Sequence, residues 1–159
     1  MFQQHKTYSV TEAKRRLERY CAYQERCHKE VRQKLRDMHM IPAAVDQIIA
    51  HLLEHDFLNE TRFAQAFARG KFRTKKWGKQ RLVRELKMRD ISQYNIKLAL
   101  KEISETDYIA TFHKLAEKRW LQLNSEENLQ RKKKKFLDYM NYRGWESALI
   151  WDKLRELTT

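Results

Sequence analysis

Apolar residues along this chain recur mostly three and four positions apart, the spacing of one face of a helix. Ser9 and Glu12 form an S-x-x-E capping box, which predicts a first helix from Val10 to about Glu25 with Ala13, Leu17 and Tyr20 inward. A second helix over Cys27 to Met38 turns Val31 and Leu35 inward, and Pro42 suits the first turn of a third carrying Val45, Ile48, Ile49 and Leu52. Asn59 is a good N-cap for a fourth. Leu58 before it and Phe63 within it have the spacing of a hydrophobic staple. This helix should bury Phe63, Ala66, Phe67 and Gly70, and close packing would explain a glycine that costs about 1 kcal/mol inside a helix. A fifth helix runs from Gly78 to about Arg89 with Leu82 and Leu86 inward, and Ser92 caps a sixth with Ile96, Leu100 and Ile103. Thr106 to Leu123, a stretch starting at Ser125, and Trp145 to Leu157 read as the last three.

The pairs Val31/Leu35, Leu82/Leu86 and Phe136/Met140 recur at roughly fifty-residue intervals, within the range of stacked helical repeats. Each pair is followed by a large apolar residue, read as Ile41, Ile91 or Trp145. The expected fold is all-α: three tandem three-helix repeats in an elongated, curved array, with a tail over 1–8 and repeats over 9–57, 58–104 and 105–159. A single irregular bundle is the competing architecture. Gly144 stands where a chain leaves a helix in the left-handed conformation, and Asp90 holds the matching place in the second unit. In the first unit Met40 follows His39, so its turn is expected to be one residue longer and to differ.

Composition agrees. Gly is 3 and Pro 1 in 159 residues, so the punctuation of β-rich proteins is nearly absent. Charge adds a functional constraint: the net charge is +13, and from Arg69 to Arg89 there are ten basic residues against one acidic. Arg62, Arg69 and Arg73 share one strip of the fourth helix. Arg81, Arg84 and Lys87 cover the side of the fifth opposite Leu82 and Leu86, and Lys71, Lys75, Lys76 and Lys79 gather at the joint. The expectation is a cationic ridge for a polyanion or acidic partner, since a surface kept for solubility mixes its signs. Phe72 and Trp77 are interleaved with the ridge and could stack on bases, but aromatics at a helix joint are more often packed. Arg131, Lys132, Lys133, Lys134 and Lys135 form a second run. Five consecutive residues sweep round a helix, so a solvated face and a phosphate-contacting face are both open there.

Other chemistry is sparse. His51-Leu52-Leu53-Glu54-His55 matches H-x-x-E-H, a zinc-peptidase pattern, but a third ligand is not evident and the histidines flank an apolar stripe. No phosphate-cradling glycine loop or activated nucleophile is visible, so neither enzymatic activity nor a cofactor is expected. Cys21 and Cys27 are read as reduced, buried or half-buried thiols that would point apart on one helix. No apolar run approaches the roughly 20 residues of a membrane span, and no signal peptide is evident. A monomeric cytoplasmic protein is expected.

DFLNETRFAQAF, continuing to GKQRLVRELKMRDIS, resembles the RecX family of bacterial RecA regulators, through Phe57, Leu58, Asn59, Arg62, Phe63, Ala64, Gly78, Arg81, Leu82, Glu85, Leu86, Arg89 and Ile91. RKKKKFLDYMNYRGW is similar to that family's C-terminal motif through Lys134, Phe136, Leu137, Arg143, Gly144 and Trp145. Asp56 and Asp90 stand where the family usually has glycine. The resemblance implies tandem three-helix repeats and a non-enzymatic protein that lies in the groove of the RecA filament on single-stranded DNA. It further implies that the protein blocks filament growth or promotes filament loss, and lowers ATPase, strand-exchange and co-protease activities. Charge reversal at Arg69, Arg73 and Arg81 is then expected to weaken inhibition without unfolding. The alternatives are a stand-alone nucleic-acid-binding module acting through phosphates, and, less favoured, a helix-turn-helix regulator, for which the fifth helix offers few side chains that read base edges.

Overall fold

The computed structural model describes residues 6–159, so Met1 to His5 of the expected tail lie outside the described residues. Among the described residues there are nine α-helices and no strand: α1 (Val10–Tyr23), α2 (His28–Asp37), α3 (Pro42–Glu54), α4 (Glu60–Lys75), α5 (Lys79–Met88), α6 (Gln93–Leu100), α7 (Glu105–Gln122), α8 (Leu129–Tyr142) and α9 (Ser147–Leu157). Their starts follow capping chemistry. Ser9, Asn59, Ser92, Ser104 and Asn128 each accept the amide of the residue three positions on. The eighth helix therefore begins at the Asn128 cap and not at Ser125.

The principal helix contacts fall within the triplets α1–α3, α4–α6 and α7–α9, most extensively between α4 and α6. The apolar core has two parts. One lies within the first triplet and includes Leu17, Val31, Leu35, Ile48, Leu52 and Leu58. The other runs without a break through the second and third triplets, from Phe63 and Leu82 to Phe136, Met140, Trp145 and Leu154, and takes in Cys27. Leu58 and Phe63 belong to different parts, so they do not form the expected staple. The accessible surface is 10595 Å² for 19.5 kDa, against roughly 8,500 Å² for a compact protein of that mass. Stacking triplets in a line leaves that excess exposed.

The repeat is clearest in its turns. His39, Asp90 and Gly144 all have positive φ, at 61, 60 and 85°. In each case the next amide, of Met40, Ile91 or Trp145, reaches back to the carbonyl of Leu35, Leu86 or Met140. These are three copies of one Schellman turn. The first turn is therefore not longer than the others. Met40 packs against the core in the place of Ile91 and Trp145, and Ile41 is 67% exposed. Asp56 closes α3 with the same pattern at φ 60°, so the absence of glycine at Asp56 and Asp90 has not changed the turn.

Gly70 is not explained by close packing. A Cβ built there meets nothing within 4 Å, and α4 buries Phe63, Ala64 and Ala68, with Ala66, Phe67 and Gly70 only half-buried. Gly70→Ala is expected to stabilise the protein by about 1 kcal/mol, the ordinary helix-propensity difference. A rise in the urea midpoint checks it.

Candidate partner-binding surface

The basic segment is held by a joint between the second and third triplets. α4 ends in the left-handed residue Lys76, and α5 starts at the N-cap Gly78. A helix N-terminus exposes amides and a C-terminus exposes carbonyls. Here the two are matched directly: Gly78 N–H donates to the Arg143 carbonyl at 2.7 Å and Gln80 N–H to the Gly144 carbonyl at 3.0 Å. The Lys79 amide donates to the Tyr108 hydroxyl at 2.9 Å, and that hydroxyl donates to Glu146. Burial, with this donation to Glu146, pushes the Tyr108 phenol far above its usual range. Trp145 is fully buried and donates Nε1–H to the Lys76 carbonyl at 3.1 Å. Phe72 packs with Tyr108 and Trp145, and Trp77 with Phe67. Both aromatics are thus part of the joint.

The cations do not form one ridge, which corrects the reading from sequence. Arg62 lies between the first two triplets, pairing with Glu25 and, at 3.1 Å, with Asp56, while it donates to the Asp56 carbonyl at 2.9 Å. Hydrogen bonding to Glu25 holds its guanidinium above the ordinary range. Arg81 is only 15% exposed, donates to Glu85 and to the Tyr142 carbonyl at 2.9 Å each, and stacks over Trp77 and Tyr142. Arg69, Arg73 and Lys76 line a cleft shared with Glu102 and Asp107, where Arg69 meets Glu102 at 3.3 Å and Lys76 Nζ donates to the Arg73 carbonyl at 2.8 Å. Lys71 lies over Phe67 and Trp77 and faces a different cleft, beside Glu25 and Glu30. Lys79, Arg84 and Lys87 line a third concavity, on α5, where Lys79 pairs with Glu105 at 3.4 Å. The turn at Lys76 to Gly78 rotates the two helices so that a strip continuous in sequence is split between faces. Arg73, Lys75, Arg84 and Lys87 are exposed and have no carboxylate partner among the described residues.

Glu85 is the hub under this surface. Burial alone would raise its carboxyl, but hydrogen bonds from Arg89 and Arg81 outweigh that and hold it below the ordinary 4.5. A carboxyl lowered on folding contributes stability above its unfolded value and loses it as pH falls through the folded value. The stability gap between the wild type and Glu85→Gln should therefore be widest at neutral pH and close below 4.5. Urea midpoints across that range measure it.

The 131–135 run lies near the start of α8, about 15 Å along the helix from Gly144. Lys134 pairs with Asp138 at 3.0 Å and Lys135 with Glu126 at 2.8 Å, while Lys132 lies 4.0 Å over the Trp120 ring. Arg131 and Lys133 make no ion pair among the described residues. The run is thus largely engaged by its own helix, by α7 and by the turn between them.

His51 Nε2 lies 3.7 Å from Glu18 of α1, and its ring is 4.4 Å from that of His55. The thiols are buried and form no disulfide, and Cys27 Sγ–H donates to Glu30 at 3.3 Å, but α1 ends at Tyr23 and Cys27 is the N-cap residue of α2, so one helix does not carry both. Burial pushes the Cys21 thiol to about 11. Sequence reasoning missed a second basic cleft between the first two triplets, lined by Lys29, Arg32, Arg36 and Arg89. The spacing of Lys29, Arg32 and Arg36 on one helical strip was its available signal.

Comparison with known families decides the chain's kinship. The model described as "RecX, first three-helix domain" matches residues 13–52, and "RecX, second three-helix domain" matches 59–100. The chain belongs to the RecX family. It is 24% identical over 140 residues to Regulatory protein RecX of Listeria monocytogenes, covering 88% of this chain and 52% of that protein. It is 29% identical over 104 residues to Regulatory protein RecX of Yersinia enterocolitica, covering 65% and 60%. The chain thus spans about half the length of curated RecX relatives that it matches. The crystal structure of RecX from Lactobacillus salivarius shares the fold, with a TM-score of 0.76 at 23% identity over 94% of this chain and 96% of that one. No helix among the described residues is long and apolar enough to cross a membrane.

Proposed function

We propose that this RecX-family protein is a non-enzymatic negative modulator of RecA. It binds the RecA filament on single-stranded DNA, blocks growth of the filament or destabilises it, and thereby lowers ATPase, strand-exchange and co-protease activities. Family membership supports the class of partner. The observation that carries the reading further is the set of cations on α5, Arg84 and Lys87, exposed without carboxylate partners on a helix locked at its N-terminus by α8. Charges on a rigid element retain more of their attraction on binding, because less side-chain and segment ordering remains to be imposed. Arg73 and Lys75 extend the surface from α4, with Arg69, Lys71, Lys76 and Lys79 as partly engaged neighbours. Arg131 to Lys135 supply a separate outer contact. Arg62 and Arg81 act by holding the surface in place.

A groove-binding rod that bridges neighbouring RecA subunits would oppose the changes in geometry that ATP turnover requires. Comparing affinity for bare single strands with affinity for RecA-coated strands tests the reading. The expected result is tighter binding to the coated strand and a modest salt dependence. Equal affinity for both, with log K falling steeply against log salt, would mark a module that reads phosphates alone.

A further inference from the structure

We infer that the concavity on α5 is a docking slot for an acidic peptide segment bearing an apolar side chain. The slot is an open concavity of about 720 Å³ between α5 and Glu146, the N-cap of α9. That is within the range of about 300–1,000 Å³ that holds small ligands or a few peptide residues. Its floor is apolar: Val83 is half-buried against the core, and Met88 is 59% exposed. Methionine in the open is adaptable and fills irregular gaps around a bound side chain. Its walls are Arg84 and Lys87, one helical turn apart, with Lys79 at the end nearest the joint. Arg84 can hold a carboxylate through two parallel hydrogen bonds.

Two features argue against nucleic acid as the occupant. Amides at the start of α5, which would otherwise cradle a phosphate, are already taken: Gly78 and Gln80 donate to the Arg143 and Gly144 carbonyls in the turn after α8, and Lys79 to the Tyr108 hydroxyl. No aromatic ring lines the slot to stack a base, and Phe72 and Trp77 are packed inside the joint. An apolar floor between cations, with no base platform, is complementary to a segment that alternates carboxylates with an aliphatic residue. The inference deepens the proposed function by giving the RecA-side contact a peptide character, but the slot can be tested without RecA.

Fluorescence anisotropy with three labelled probes makes the test: a glutamate-rich peptide with a central leucine pair, the same peptide with serine for leucine, and an oligothymidylate of equal charge. The leucine peptide should bind about tenfold more tightly than the serine peptide, as expected for burial of aliphatic surface. Met88→Ser should abolish that preference. Arg84→Ala with Lys87→Ala should weaken both peptides, with all variants keeping the wild-type unfolding midpoint. Equal affinity for the two peptides, tighter binding of the oligothymidylate, or a Met88→Ser variant that keeps the preference would each overturn the slot. A protein that inhibits RecA ATPase yet shows no leucine preference loses the slot and keeps the RecA reading. One that prefers the leucine peptide yet leaves RecA unaffected keeps the slot and loses the RecA reading.

Discussion

Gly144→Ala is expected to lower the thermal midpoint by about 10 °C or more, the equivalent of roughly 4 kcal/mol in a chain of this length. Two independent costs combine. The backbone has φ 85°, a left-handed conformation that alanine adopts only under strain, and a Cβ would lie 2.2 Å from both the amide nitrogen and the Cβ of Arg81. Backbone atoms at that distance cannot yield by a rotamer change, so α8 and α5 must separate. Separation takes the acceptors away from the Gly78 and Gln80 amides and loosens the Trp145 bond to the Lys76 carbonyl, leaving buried donors unpaired. Gly78→Ala is blocked in the same way, by Gly144 O at 2.4 Å and Trp145 Cα at 2.8 Å. Differential scanning calorimetry on Gly144→Ala and Gly70→Ala together gives a contrast of opposite sign. A Gly144→Ala midpoint within 3 °C of the wild type, about 1 kcal/mol, would show that the two helices are not held this closely.

Arg81→Glu is expected to destabilise the protein by about 3–5 kcal/mol, the range for breaking a shielded ion pair, whereas Arg84→Glu should stay within about 0.5 kcal/mol, as surface substitutions do. The two arginines are three residues apart and look alike in sequence. Arg81 is 15% exposed beside a Glu85 that is 14% exposed. A second carboxylate there repels the first, removes the donor to the Tyr142 carbonyl, and strips the cation from Trp77 and Tyr142. Arg84 faces solvent. Urea unfolding separates the cases, and equal midpoints for both variants would contradict the assignment of Arg81 to the scaffold. Reversing Arg69, Arg73 and Arg81 together, the substitution that the sequence suggests, would therefore confuse lost folding with lost binding.

The helices were legible because apolar spacing and capping side chains are local: Ser9, Asn59 and Ser92 cap where expected, and the inward pairs from Val31/Leu35 to Phe136/Met140 are buried. The turn at His39 was misread because left-handed geometry was sought at glycine, and histidine, although enriched in that region among non-glycine residues, marks it far less strongly. The Gly78–Gly144 approach joins residues far apart in the chain, so nothing local marks it. The amount of charge in the segment is plain from the sequence, but its division among faces depends on the three-residue bend at Lys76 to Gly78 and on which carboxylates fold back. Glu85 beside Arg81 was visible at i,i+4, while Glu25 beside Arg62 and Glu102 beside Arg69 were not.

The role of the exposed cations is decided by RecA ATPase on single-stranded DNA, titrated with the wild type and with an Arg73→Glu, Arg84→Glu, Lys87→Glu variant of unchanged unfolding midpoint. The wild type should inhibit, and the variant should lose at least about tenfold in potency, as expected when several complementary charges become repulsive. Wild-type potency in the folded variant, or no inhibition by the wild type, would contradict that role.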